Sequence, residues 1–95
     1  MQLDFFNDVT NKTTAIEYVT RRIIQSDSIR DRIKQAIKGN DRNELIKLFQ
    51  ESINTFGFGE PNGYSWSRGI ATIDNEEYKI TARELADMAL KIYRE

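Results

Sequence analysis

The chain contains no histidine and no cysteine, one proline and five glycines in 95 residues. Without His or Cys there is no Ser-His-Asp triad, no thiol nucleophile, no disulfide framework and no conventional zinc site. There is no large excess of charge of either sign: 14 Lys+Arg face 15 Asp+Glu, for a net charge of −1. A general nucleic-acid or membrane binder normally carries a basic excess, and a DNA mimic a strong acidic one. Long apolar runs are also lacking, the longest being Met88-Ala89-Leu90. Neither a membrane span nor a signal-peptide core can be built from that. The absence of Cys fits a reducing compartment, and a cytoplasmic location is the expectation.

What is present is the composition of a folded domain. Hydrophobic residues make up 39% and aromatic residues 11%, spread along the whole chain, whereas disordered segments lack both. The length suits a single small globular domain spanning 1–95.

Helical signals dominate the first half. Leu3, Phe6 and Val9 are spaced for a short helix, with an extended arm as the alternative, and the Phe5–Phe6 pair is expected to dock on the core. Thr14 and Glu17 form a capping-box pattern, followed by Ile16, Val19 and Ile23, which predicts a helix over about 15–25. Ser26-Asp27-Ser28 can cap a second helix, with Ile29, Ile33 and Ile37 on one face and Gly39 at its end. A third helix starts near Asn40 or Asp41. It carries Leu45, Leu48, Phe49, Ile53 and Phe56, and is expected to be the central packing element, with Gly57 stopping it.

The second half reads differently. Residues 57–63 are turn-rich. Tyr64 to Ile80 reads as strands around an Asp74–Glu77 turn, so a β-hairpin is expected to lie on the helices. Thr81 and Glu84 form a second capping box, opening a final helix with Leu85, Met88, Ala89 and Ile92 on one face and Arg94 near its end. The predicted fold is α+β: three to four helices packed against a C-terminal β-hairpin, followed by a final helix.

Two segments stand out as contact surfaces. Phe56 to Trp66 holds four of the ten aromatics, three of the five glycines and the only proline. Loops carry function because a scaffold can present them, and Tyr and Trp supply contact area at little entropic cost. Phe58, Glu60, Asn62, Tyr64, Trp66 and Arg68 are therefore the candidate partner-binding residues, although Phe56 and Trp66 also suit a core. The second segment is basic. Residues 21–38 carry six cations against Asp27 and Asp31, a net +4, which leaves −5 for the remaining 77 residues. Arg21, Arg22, Arg30, Lys34 and Lys38 are candidates for an anionic partner. The plainer alternative is a solvated face whose Arg30 and Lys34 pair with Asp27 and Asp31.

Chemistry-bearing motifs are few. Gly57-x-Gly59 follows a helix and is not a dinucleotide fingerprint, and no Walker lysine follows a glycine-rich loop. Glu77-x-Lys79 is similar to the acidic–lysine pair of metal-dependent nucleases but lacks a further carboxylate on a neighbouring strand. Asp4/Asp8 and Glu84/Asp87 are carboxylate pairs at helix starts, where acids are expected. No catalytic residue, metal ligand or cofactor is assigned.

The order helix–helix–helix–hairpin over about 15–80 resembles that of a winged-helix module. The resemblance implies that the third helix reads DNA. That helix is close to neutral here, with Arg42 and Lys47 against Glu44 and Glu51, and the hairpin turn is acidic. The favoured expectation is a small non-enzymatic protein-binding module. Its size and style match phage or mobile-element inhibitors of defence systems that cover a surface on a larger macromolecule. A winged-helix-like nucleic-acid regulator is the alternative, and self-association is a third possibility.

Overall fold

The computed structural model describes the backbone of residues 2–93 and the side chains of residues 11–93. The Phe5–Phe6 docking, the Asp4/Asp8 pair and Arg94 lie outside the described side chains. Three helices come first, α1 (Gln2–Ser26), α2 (Arg30–Lys38) and α3 (Arg42–Thr55). Four short strands follow, β1 (Phe58–Gly59), β2 (Ser65–Ser67), β3 (Ile70–Ile73) and β4 (Glu76–Lys79), and then α4 (Ala82–Tyr93). The α+β architecture with a closing helix is the one expected, but the hairpin is a four-strand antiparallel meander in the order β1-β2-β3-β4.

The first helix is longer than its capping pattern suggested. Thr14 lies inside α1, and Glu17 pairs with Arg21 instead of reaching back to it. Nothing breaks the chain earlier: the first Gly is Gly39 and the only Pro is Pro61. At the α1–α2 turn the Asp27 carboxylate takes the Ile29 N–H at 3.0 Å, and Arg30 N–H donates to the Asp27 carbonyl at 3.0 Å. The α2 end is a Schellman motif. Asp41 N–H donates to Ala36 O at 2.9 Å and Asn40 N–H to Ile37 O at 3.0 Å. Asn40, not Gly39, takes the left-handed conformation there, with φ 55°. Asn is the residue other than Gly that adopts it most readily.

The next two helix starts follow the sequence closely. Asp41 Oδ1 accepts from Glu44 N–H at 3.2 Å. At α4 the capping box is complete: Thr81 N–H donates to Glu84 Oε1 at 2.8 Å, and Glu84 N–H to Thr81 Oγ1 at 3.2 Å.

Two hairpin turns have two residues each, Arg68-Gly69 (φ 49° and 85°) and Asp74-Asn75 (φ 53° and 68°). Left-handed pairs of this kind match the twist of the flanking strands. The register aligns Phe58, Trp66, Ala71 and Tyr78 across the four strands. Trp66 and Ala71 are buried, and Phe58 and Tyr78 pack partly against the same core, so this row is the face turned to the helices. The core itself joins Ile23 of α1, Ile33 of α2, Leu45 and Phe49 of α3, and Leu85 and Ala89 of α4. Helix α3 packs between α2 and α4, while α4 also packs on α1, so the centre is shared between α3 and α4.

Candidate functional site

The two segments singled out in the sequence meet in space, at Arg22. Tyr18 and Arg22 lie one turn apart on α1 and face the β1–β2 connection. The Tyr18 ring stands edge-on to Phe58 (centroids 5.8 Å, 68°) and to Tyr64 (5.2 Å, 85°). Phe56 lies beside Phe58 at 6.2 Å. Edge-to-face pairs at these spacings are favourable beyond the area they bury. The Arg22 guanidinium sits over the Phe58 ring, 4.4 Å from its centroid, and ion-pairs with Glu60. It also lies 3.5 Å from the Tyr18 hydroxyl.

The loop that carries these groups is hydrogen-bonded to itself. Glu60 N–H donates to Tyr64 O at 2.8 Å and Gly63 N–H to Glu60 O at 3.0 Å. Asn62 Oδ1 accepts from Tyr64 N–H at 3.0 Å. Gly63 has φ 89° and supplies the left-handed turn. Gly57, just before β1, has a different reason. A Cβ there would lie 2.8 Å from the Trp66 carbonyl oxygen, so only glycine lets β1 approach β2 this closely.

The six candidate partner-binding residues therefore occupy three environments. Phe58, Glu60 and Tyr64 are half-buried in the aromatic group, and Asn62 sits at the exposed tip beside Pro61. Trp66 is 1% exposed and offers no surface to a partner; it belongs to the core, and its indole N–H has no hydrogen-bond partner among the described residues. Arg68 is exposed at the β2–β3 turn, in a groove beside the end of α3 that Phe56 also lines.

Most of the basic segment is engaged internally. Arg21 donates to Glu17 at 2.8 and 3.0 Å and reaches over Tyr93, 5.7 Å from its centroid. The hydrogen bond to Glu17 leads the causes that raise the Arg21 guanidinium above its ordinary range, although desolvation opposes them. Arg22 is held by Glu60 and Phe58. Arg30 donates to the Asp27 carbonyl at 3.1 Å, not to its carboxylate. The Asp27 carboxylate is 3% exposed and accepts from Ser52 Oγ at 2.6 Å, tying the α1–α2 turn to α3. Of the solvated-face alternative, the expected pairing of Arg30 and Lys34 with the carboxylates of Asp27 and Asp31 is not formed among the described residues. Lys34 and Lys38 are exposed without an ion pair among the described residues. On α3, Arg42 pairs with Asp87 at 2.7 Å and Lys47 lies 4.0 Å from Glu44, so neither cation is left unpaired on that helix.

Sequence reasoning missed Tyr18 and Ser52, and it gave Asp27 a local capping role without its tie to α3. Tyr18 had a faint signal, an aromatic four residues before a cation on the flank of an apolar stripe. The Asp27–Ser52 bond had none, because it joins residues 25 positions apart. Among the described residues no group of three or more His, Cys, Asp or Glu is placed to hold a metal ion, and no helix is long and apolar enough to cross a membrane. No family model matches the chain, and neither a curated protein nor a solved structure matches it significantly.

Proposed function

We propose that the chain is a non-enzymatic protein-binding module that covers a surface of a larger macromolecule with the Tyr18–Phe58–Tyr64 face and the 60–64 turn. The observation that carries this reading is the way Arg22 and Glu60 hold half-buried aromatic rings beside an exposed, hydrogen-bonded turn. Aromatic groups and Arg dominate the energetics of protein interfaces. A loop already ordered in the free protein loses less entropy on binding. Occlusion of this kind is how a small inhibitor from a phage or mobile element would act, and the size and composition are compatible with that origin. The nucleic-acid alternative gains no support, because Arg21, Arg22, Arg30 and Arg42 are all engaged with groups of the chain itself.

The test is capture of partners from the native host by the wild-type protein and by Tyr64→Ala, with thermal unfolding of both. Tyr64 is an end member of the aromatic group, so its truncation is expected to cost about 1 kcal/mol of stability or less and to abolish capture. Equal capture by both proteins would sink the reading. So would unfolding of Tyr64→Ala, which would make the ring a core element.

A further inference from the structure

Strand β4 ends the sheet, pairs with no further strand among the described residues on its outer edge, and that edge has a specific pattern. Ile80 N–H donates to Gly69 O at 2.9 Å, so the amide of residue 80 faces β3. Backbone direction alternates along an antiparallel strand. The amides and carbonyls of Glu76 and Tyr78 therefore also face β3, and those of Glu77 and Lys79 face outward. Side chains alternate in the other sense. Tyr78 lies on the helix side, opposite Ala71, whereas Glu77 and Lys79 project from the outer face, opposite Thr72 and Ile70. Glu76, Glu77 and Lys79 are all exposed.

We propose that two copies of the chain pair antiparallel through their β4 edges about a two-fold axis at Tyr78, placing Glu77 of each opposite Lys79 of the other. A two-fold perpendicular to the sheet keeps each side chain on its own face, so opposed residues must share a face. The axis must then pass through a residue. Centred on Glu77, it would oppose two carboxylates. Centred on Tyr78, it opposes Glu77 to Lys79 twice, and both of those positions have outward-facing amides and carbonyls. The two pairs then exchange four backbone hydrogen bonds. Charged edge strands normally discourage pairing. Here the charges reject other registers and complement this one, which is how charge confers specificity.

The space beneath the edge suits the same arrangement. A cavity of about 520 Å³ lies between β4 and α1, with Ile16 and Tyr78 as its apolar lining and Lys12, Glu76, Glu77 and Glu84 along its rim. No residue of β3 lines it, so it opens on the free side of β4, where Tyr78 of the second copy would come to lie. The paired edge is at the opposite end of the sheet from β1. It leaves the aromatic face free, so the dimer does not depend on the function proposed for that face.

The experiment is sedimentation equilibrium of the full chain over a wide concentration range, with far-UV circular dichroism to verify folding. Wild type is expected to dimerise. Glu77→Lys and Lys79→Glu each turn two attractive pairs into repulsive ones and are expected to raise the dissociation constant roughly tenfold or more. The double exchange, Glu77→Lys with Lys79→Glu, restores opposite charges and should recover wild-type association. Tyr64→Ala should dimerise like wild type. A wild-type protein that stays monomeric at every concentration overturns the proposal. Single variants that dimerise normally, a double variant that does not recover, or loss of the dimer in Tyr64→Ala overturn it equally.

Discussion

Replacing Asp27 should destabilise the fold more than replacing any of the ion-paired surface residues. Its carboxylate is 3% exposed and accepts from Ser52 Oγ at 2.6 Å and from Ile29 N–H at 3.0 Å. Asp27→Ala removes both acceptors. The Ser52 hydroxyl, fully buried, and the Ile29 amide are left without them. Each orphaned buried donor costs about 1–3 kcal/mol. Ser52 can recover part of that by donating to the carbonyl one turn back in α3. The expected loss is therefore about 2–4 kcal/mol, a large share of the roughly 5–15 kcal/mol that holds a domain of this size. Ser52→Ala removes one donor from a buried carboxylate and should cost about 1.5–3 kcal/mol. The double change should cost clearly less than the sum, with a coupling of about 1 kcal/mol or more. The assay is urea unfolding followed by tryptophan fluorescence, for which Trp66 is a single reporter, 1% exposed in the fold. A loss below about 1 kcal/mol in Asp27→Ala, or a strictly additive cycle, would refute the reasoning.

Three further outcomes are expected. Gly57→Ala forces a Cβ to within 2.8 Å of the Trp66 carbonyl, so β1 must move away, at a cost of about 1–3 kcal/mol read as a lower urea midpoint. Arg68→Asn relieves a long side chain from a left-handed position at φ 49° and creates an Asn-Gly turn, so it should raise the melting temperature by an amount equivalent to at most about 1 kcal/mol. Acid should weaken the protein through Glu84 and Asp87. The Asp87 carboxyl is held low by its hydrogen bond from Arg42. For Glu84 desolvation is the largest influence and acts upward, but the Thr81 amide and Lys12 together carry the net shift downward. Folding then favours the carboxylates. Their contribution is complete above the ordinary carboxylate range and is lost as the pH falls through and below it. Asp87→Asn should flatten that part of the stability–pH profile, and an unchanged profile would contradict the assignment.

Local chemistry explains which parts of this fold can be read from residues alone. The starts of α3 and α4 were legible because Asp41 and Thr81 cap them with side chains three positions from their partners. The buried faces of α2 and α3 were legible because Ile33, Ile37, Leu45, Phe49 and Ile53 recur at helical spacing. The length of α1 was not. A capping-box pattern at Thr14 promised a start, but a hydroxyl cannot open a helix that nothing upstream has stopped. β1 was hidden for a different reason. It has two residues, one of them Gly59, and exists because β2 offers it an edge. In the candidate site, Phe58, Glu60, Asn62 and Tyr64 were identified together from composition, and Trp66 was grouped with them because aromatic density does not distinguish a surface from a core. The contact of Arg22 with that group joins residues far apart in the chain and has no local signature.

The basic segment shows why a sum of formal charges is a poor measure of surface available to a partner. Residues 21–38 carry a net +4 in sequence. In space, Arg21 is satisfied by Glu17, Arg22 by Glu60, Arg30 by a backbone carbonyl, and Arg32 lies 3.6 Å from Glu51. Three of those partners, Glu17, Glu51 and Glu60, come from outside the segment, from the part of the chain that carries the balancing −5. The surplus therefore serves largely to pin α1 to the β1–β2 turn and α2 to α3. Within this segment only Lys34 and Lys38 remain, among the described residues, to meet an external anion, and two lysines a turn apart form a weak, salt-sensitive contact. Arg22 makes the same point from the aromatic side. Its charge is already committed to Glu60 and its plane to Phe58, so what reaches the surface is the edge of an aromatic group held in place by a half-buried cation. The proposal of a protein partner rests on this arrangement, since such a surface would select by shape and apolar contact, not by charge.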